Sequence, residues 1–229
     1  MLEQLPNILT WAIVWIISWG IFFWFIHKKG GDYIKHFILT STYFLCVAIF
    51  TSLIFRDHIA RAIQNFTATP LIVLGLLILV HIILYIYIPK CLREPKDYFE
   101  KYPKRQYLKI DKRRLLSKSI DIFSQQIFVV LLVMFLQDAG LTLDKIIIAF
   151  AIIFGLVHAP LILVERGTWP SWYFTVFSIL SAIIFPTLIL KVQYGFVYSY
   201  MVHWIFYTLT AVGFWIVYAK LQKKVMISY

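Results

Sequence analysis

Seven stretches of about twenty apolar residues, at 8–27, 34–55, 70–89, 119–136, 145–164, 171–190 and 194–219, leave this chain few ways to fold. A helix rising 1.5 Å per residue needs about 20 residues to cross roughly 30 Å of hydrocarbon. No water satisfies backbone groups in that layer, so a spanning segment must be a helix or a strand of a closed barrel. Unbroken apolarity, without period-two alternation, predicts helices. The expected fold is all-α: a polytopic transmembrane bundle of about seven spanning helices, forming a single domain over residues 1–229. Composition agrees, with 61% hydrophobic and only 14% charged residues, far from the soluble globular range. The first run lacks a basic leader and a small-residue cleavage site, and is expected to stay as a helix.

A net charge of +11 would suggest nucleic acid in a soluble protein, but no nucleic-acid motif is present. The charge is better read through loop placement. With seven helices and the N-terminus outside, eighteen of the 22 Lys and Arg fall in inner segments, which predicts a cytoplasmic C-terminus and an anionic inner leaflet as partner. Eleven of them lie in residues 90–118, expected to be a basic cytoplasmic loop. A second reading of that segment dips Leu108, Ile110, Leu115 and Leu116 into the leaflet while Lys and Arg hold phosphates. Cys46 and Cys91 form no disulfide framework or metal pair and are expected to be free thiols. Trp11, Trp15, Trp19 and Trp24 suit interfacial anchoring at the run's ends and packing in its middle. Asn65-Phe66-Thr67 is a formal sequon on the predicted outer side, too short to carry an argument. Phosphate loops, nucleophile elbows and HExxH pairs are absent from the sequence.

The polar residues most out of place lie in 119–207: Gln125, Gln126, His158, His203 and Tyr207. Such groups in a bilayer cost free energy unless partnered, so together they are a functional hypothesis. The predicted helix directions set Gln125 and Gln126 about two turns from the inner face, His158 about as deep and His203 near mid-depth. Tyr207 follows His203 by four residues on the same helical face. Pro160 and Pro186 would loosen local backbone bonding next to a cavity open to the cytoplasm. His81 suits packing, and Asp121 and Asp138 flank the fourth run. Asp121, one turn from Gln125, is an outside candidate for a base.

The order and spacing of these groups resemble the CAAX-protease and bacteriocin-processing (CPBP or Abi) family of intramembrane proteases. Its motifs are EExxxR, FxxxH and HxxxN or HxxxD. Phe154-Gly-Leu-Val-His158 matches the second motif. His203-Trp-Ile-Phe-Tyr207 matches the third except at Tyr207. Gln125-Gln126-Ile-Phe-Val-Val130 stands where the first belongs, with Gln for both Glu and Val for Arg. The resemblance implies a CAAX-protease-like fold, with 119–207 as motif core and Gln125, Gln126, His158, His203 and Tyr207 at the catalytic positions.

A neutral amide cannot accept the proton that a general base must take, so the frame looks like a protease that has lost its base. Two His with two amides make a poor metal site, so no cofactor is expected; Glu165 is the nearest further ligand for a metal at His158 and His203. The competing structural reading gives His and Gln interhelical hydrogen bonds and gives Tyr207 a packing role. The leading function is therefore non-proteolytic: binding a membrane-embedded or lipidated peptide, or an immunity or accessory role. The alternatives are an active, divergent CAAX-type endopeptidase using His158 and His203, and a small-solute or proton transporter.

Overall fold

The computed structural model describes residues 2–64, 67–103, 105, 108–164 and 169–227, with side chains for all of these but Leu2, His27, Pro160, Leu161, Val164, Pro170 and 221–227. The Asn65-Phe66 part of the sequon, Lys104, Glu165, Arg166 and the side chains of Pro160, Lys223 and Lys224 lie outside the described residues. Among the described residues every regular element is helical. A 3-10 turn, Leu2–Gln4, leads into α1 (Leu5–Lys29), followed by α2 (Phe37–Ile54), α3 (Arg56–Ala62), α4 (Ala68–Cys91), α5 (Lys96–Lys101), α6 (Lys112–Asp138), α7 (Leu143–Val164), α8 (Trp169–Lys191) and α9 (Gly195–Ile227). Each of the seven apolar runs is a helix, while the short α3 and α5 have no counterpart in the hydropathy pattern.

Among the described residues six helices are long and apolar enough to cross a membrane: α1, α2, α4, α6, α8 and α9. The chain is a multi-pass integral membrane protein. Its exposed surface is that of a lipid-facing bundle, with Leu9, Ile13, Ile16, Ile72, Leu76 and Ile183 among many large apolar side chains turned outward. Helix α6 is the exception, since 83% of its apolar window is buried by protein against 11% in α4. Helix α8 runs unbroken through Pro186.

Helix α6 begins well before the apolar run that predicts it. Asp111 caps it: one carboxylate oxygen accepts the backbone N–H of Arg113 at 2.8 Å, and the Asp111 carbonyl takes the N–H of Leu115. Its far end closes on Gly140, whose positive φ of 80° lets Leu141 N–H return to the Leu136 carbonyl and Gly140 N–H to that of Gln137. The segment 90–118 is thus partly folded, holding α5 and the start of α6. Leu108 and Ile110 are buried in protein at 2% and 6% exposure rather than in lipid, while Leu116 is exposed.

The chain divides into two compact units. The first comprises residues 1–16, 51–66 and 126–199. Trp11 and Trp15 stack at 5.8 Å and meet Phe128 edge-on, and the Trp11 indole N–H donates to the Phe128 carbonyl at 2.9 Å. These two tryptophans pack rather than anchor, whereas Trp24 is exposed beside Lys29. Helices α7 and α8 pack together, and a Cβ on Gly155 would lie 2.9 Å from Ile179. At the end of α6, Asp138 takes a bidentate ion pair from Arg61 and a contact from His58 at 3.3 Å.

The second unit comprises residues 17–50, 67–125 and 200–229. Phe22, Tyr33 and Phe44 form one buried cluster. Tyr85, Ile110, Ala211 and Trp215 form another, and the Trp215 indole N–H donates to the Leu108 carbonyl at 3.1 Å.

Candidate functional site

Because α6 starts at Lys112, four charged or amide residues that the hydropathy pattern splits between loop and helix fall on one helical stripe: Arg114, Lys118, Asp121 and Gln125. All four are buried, and Asp121 is wholly excluded from solvent.

Asp121 is the hub. Lys118 Nζ lies 2.6 Å from Oδ2, Tyr33 donates its hydroxyl to the same oxygen at 2.9 Å, and Gln125 Nε2 donates to Oδ1 at 2.8 Å. The carboxylate thus accepts three strong donors, two of them neutral. Tyr33 is fixed at its other end as well, since Ser117 Oγ donates to its backbone carbonyl at 2.8 Å. Tyr33 lies in the turn between α1 and α2; burial first, and then the Asp121 carboxylate, push its phenol well above the usual tyrosine range. Lys118 also sits over two aromatic faces, 4.1 Å from the Tyr207 centroid and 5.2 Å from that of Tyr33. A buried ion pair persists only when further hydrogen bonds complete it, and these tyrosines and the amide do so.

Of the sequence-predicted positions in this second unit, Gln125 and Tyr207 are therefore joined through Lys118 and Asp121. His203 is buried, its ring 5.5 Å from that of Tyr207 one turn along α9. His81 is stacked on Trp204 at 4.0 Å and nearly parallel, with Nδ1 donating to the Leu77 carbonyl, which is a packing role.

The other two positions belong to the first unit. Gln126, fully buried, donates to Ser199 Oγ at 2.7 Å, and Ser199 donates to the Phe196 carbonyl. His158 is half-buried; its Nδ1 lies 2.8 Å from the Phe154 carbonyl, so that nitrogen carries the proton. Its ring meets Phe154 edge-on at 4.6 Å. The Phe and His of the FxxxH pattern are thus neighbours on one helix face, as i and i+4 must be.

Among the described residues, no group of three or more His, Cys, Asp or Glu side chains is arranged to hold a metal ion. What sequence reasoning missed is the charged half of the stripe. The apolar run starts at Ser119, which puts Lys118 and Arg114 among the loop charges in the hydropathy pattern. The i, i+4, i+7, i+11 spacing of Arg114, Lys118, Asp121 and Gln125, with Asp111 as a cap before it, is the signal that finds them.

Fold and site together define a multi-pass α-helical membrane protein with a protein-buried charged cluster on its most enclosed helix. No protein-family model, no curated protein and no solved structure matches the chain.

Proposed function

We propose that this chain is a non-proteolytic membrane protein on a frame resembling the CPBP or Abi family, and that it binds a membrane-embedded or lipidated peptide. Gln125 carries the proposal. At the position where the family's motif has its catalytic carboxylate, this amide is spent as a donor to Asp121. The carboxylate nearest to it, Asp121, is wholly excluded from solvent and already accepts from Lys118, Tyr33 and Gln125. A base is thus missing at Gln125 and committed elsewhere at Asp121.

The proposed orientation puts the N-terminus outside and the C-terminus in the cytoplasm. The positive-inside bias supports it, and it survives when the buried Arg114 and Lys118 are left out of the count, at sixteen to four.

A farnesylated peptide ending in a CAAX sequence and carrying a photo-crosslinker tests the reading in proteoliposomes. The expected result is crosslinking to the full-length chain with no shortened peptide, unchanged in His158→Ala. Cleavage that His158→Ala abolishes would establish the endopeptidase instead.

A further inference from the structure

Arg114 is 1% exposed, yet its only side-chain hydrogen bond is from Nη1 to the Tyr85 hydroxyl oxygen; Nε and Nη2 have no partner among the described residues. The two carboxylates nearest to it along α6 are already engaged. Asp111 is held by Arg113 through its backbone N–H, Nε and Nη2, and Asp121 by Lys118, Tyr33 and Gln125. Lys118 balances Asp121, so the stripe keeps one uncompensated positive charge, and it is the guanidinium. A buried cation in that condition is costly unless something anionic completes it.

Nε and Nη2 form the side-on edge of the guanidinium, which offers two parallel N–H donors to two oxygens of one oxyanion. The Tyr85 hydroxyl, which accepts from Nη1, has no acceptor for its own proton among the described residues and can supply a third donor. A carboxylate presents two oxygens, whereas a terminal phosphate group presents three. A cavity of about 410 Å³ is lined by Ile110 and Trp215, which pack in one cluster with Tyr85, and by two ion pairs, Lys109 with Glu94 and Arg113 with Asp111. These cations are already paired, which leaves the Arg114 guanidinium as the group that calls for an oxyanion.

We propose that Arg114 and Tyr85 form a phosphate-binding site at the start of α6, taking a terminal phosphate from a lipid headgroup or from free phosphate. Thermal unfolding of the full-length chain in a neutral detergent tests this with inorganic phosphate, with phosphatidic acid in mixed micelles, and with phosphatidylcholine as the zwitterionic control. The expected result is a rise in Tm with a phosphate probe and none with phosphatidylcholine. A rise with inorganic phosphate identifies free phosphate as sufficient; a rise with phosphatidic acid alone identifies the headgroup.

Arg114→Met should abolish the rise without lowering Tm in the absence of phosphate, since an apolar side chain removes the unpaired charge. Arg114→Lys, which keeps the charge but loses the fork, should weaken the apparent affinity about tenfold or more, and serves as the second variant if the Met variant fails to fold. Lys112→Gln, exposed on the same turn, should respond as the parent does. The proposal is overturned if no phosphate probe raises Tm, if Arg114→Met and Arg114→Lys respond like the parent, or if Lys112→Gln loses the response equally.

Discussion

Asp121 holds three partners that would otherwise be buried donors without acceptors, and that makes it the residue whose loss should be felt most. Asp121→Asn leaves the Lys118 ammonium enclosed without a counter-charge, at an expected cost of about 3–5 kcal/mol. Removing the ammonium as well, in Lys118→Met with Asp121→Asn, leaves no uncompensated charge and keeps an acceptor oxygen at 121, and should cost less than Asp121→Asn alone. Denaturation of both variants in detergent gives the comparison, and a double variant worse than the single would show that the pair itself stabilises the chain. Tyr33 adds a pH dependence. Its phenol ionises at higher pH in the folded chain than in the unfolded one, so its share of stability is complete below the ordinary tyrosine range and declines as pH climbs through the raised folded value. Unfolding curves from about pH 8 to about pH 11 should fall less steeply for Tyr33→Phe than for the parent. Equal slopes would refute the assignment.

At the scale of the helix, α6 shows how a hydropathy pattern misplaces a boundary. The run at 119–136 reports where side chains become greasy, not where the backbone becomes helical. Lys112, Arg113, Arg114, Leu115 and Leu116 are good helix formers placed just after an Asp, a start signal written in cap chemistry rather than in apolarity. Five of the remaining six runs end within a few residues of their helices, where charged or Gly-bearing segments bound them, while α9 continues past its run at 219 through Lys220 to Ile227. Asp111→Ala should cost about 0.5–2 kcal/mol and fray the first turn, while Asp111→Asn keeps the cap and should cost less. Backbone amide exchange at Arg113 and Arg114 would report it, rising in the Ala variant alone. At the α8–α9 corner a Cβ on Gly195 would collide with the Leu188 carbonyl, and Tyr194 holds a φ of 61°. That close turn is invisible to periodicity, which saw only two apolar runs with a break between them.

For the whole molecule, class was legible because the bilayer leaves a long apolar segment little choice beyond the helix. The polar core was legible only in part. Gln125, Gln126, His158 and His203 stand out as isolated anomalies in greasy runs, whereas Lys118 and Arg114 hide among nine other basic residues of 90–118. Charge in that segment looks alike in sequence whether it is solvated, like Lys112, or enclosed, like Arg114. The proposed orientation has its own test in Cys91, an exposed thiol at the end of α4 and the start of the basic segment. A membrane-impermeant maleimide should label it in inverted vesicles and not in intact cells, with Cys46→Ser as background; labelling in intact cells would reverse the topology.

The enclosure of α6 bears on how the chain is made. A helix whose first half carries Arg114, Lys118, Asp121, Gln125 and Gln126 is poorly suited to leave an insertion channel for lipid by itself, because polar and ionised groups in hydrocarbon cost free energy unless partnered. Its acceptable surroundings are protein: Tyr33 from before α2 and Tyr85 from α4, both synthesised earlier, and Tyr207 from α9, synthesised later. Biogenesis therefore has an order built into it. α6 stays incompletely housed until the ribosome has delivered α9, whose Tyr207 ring lies under Lys118.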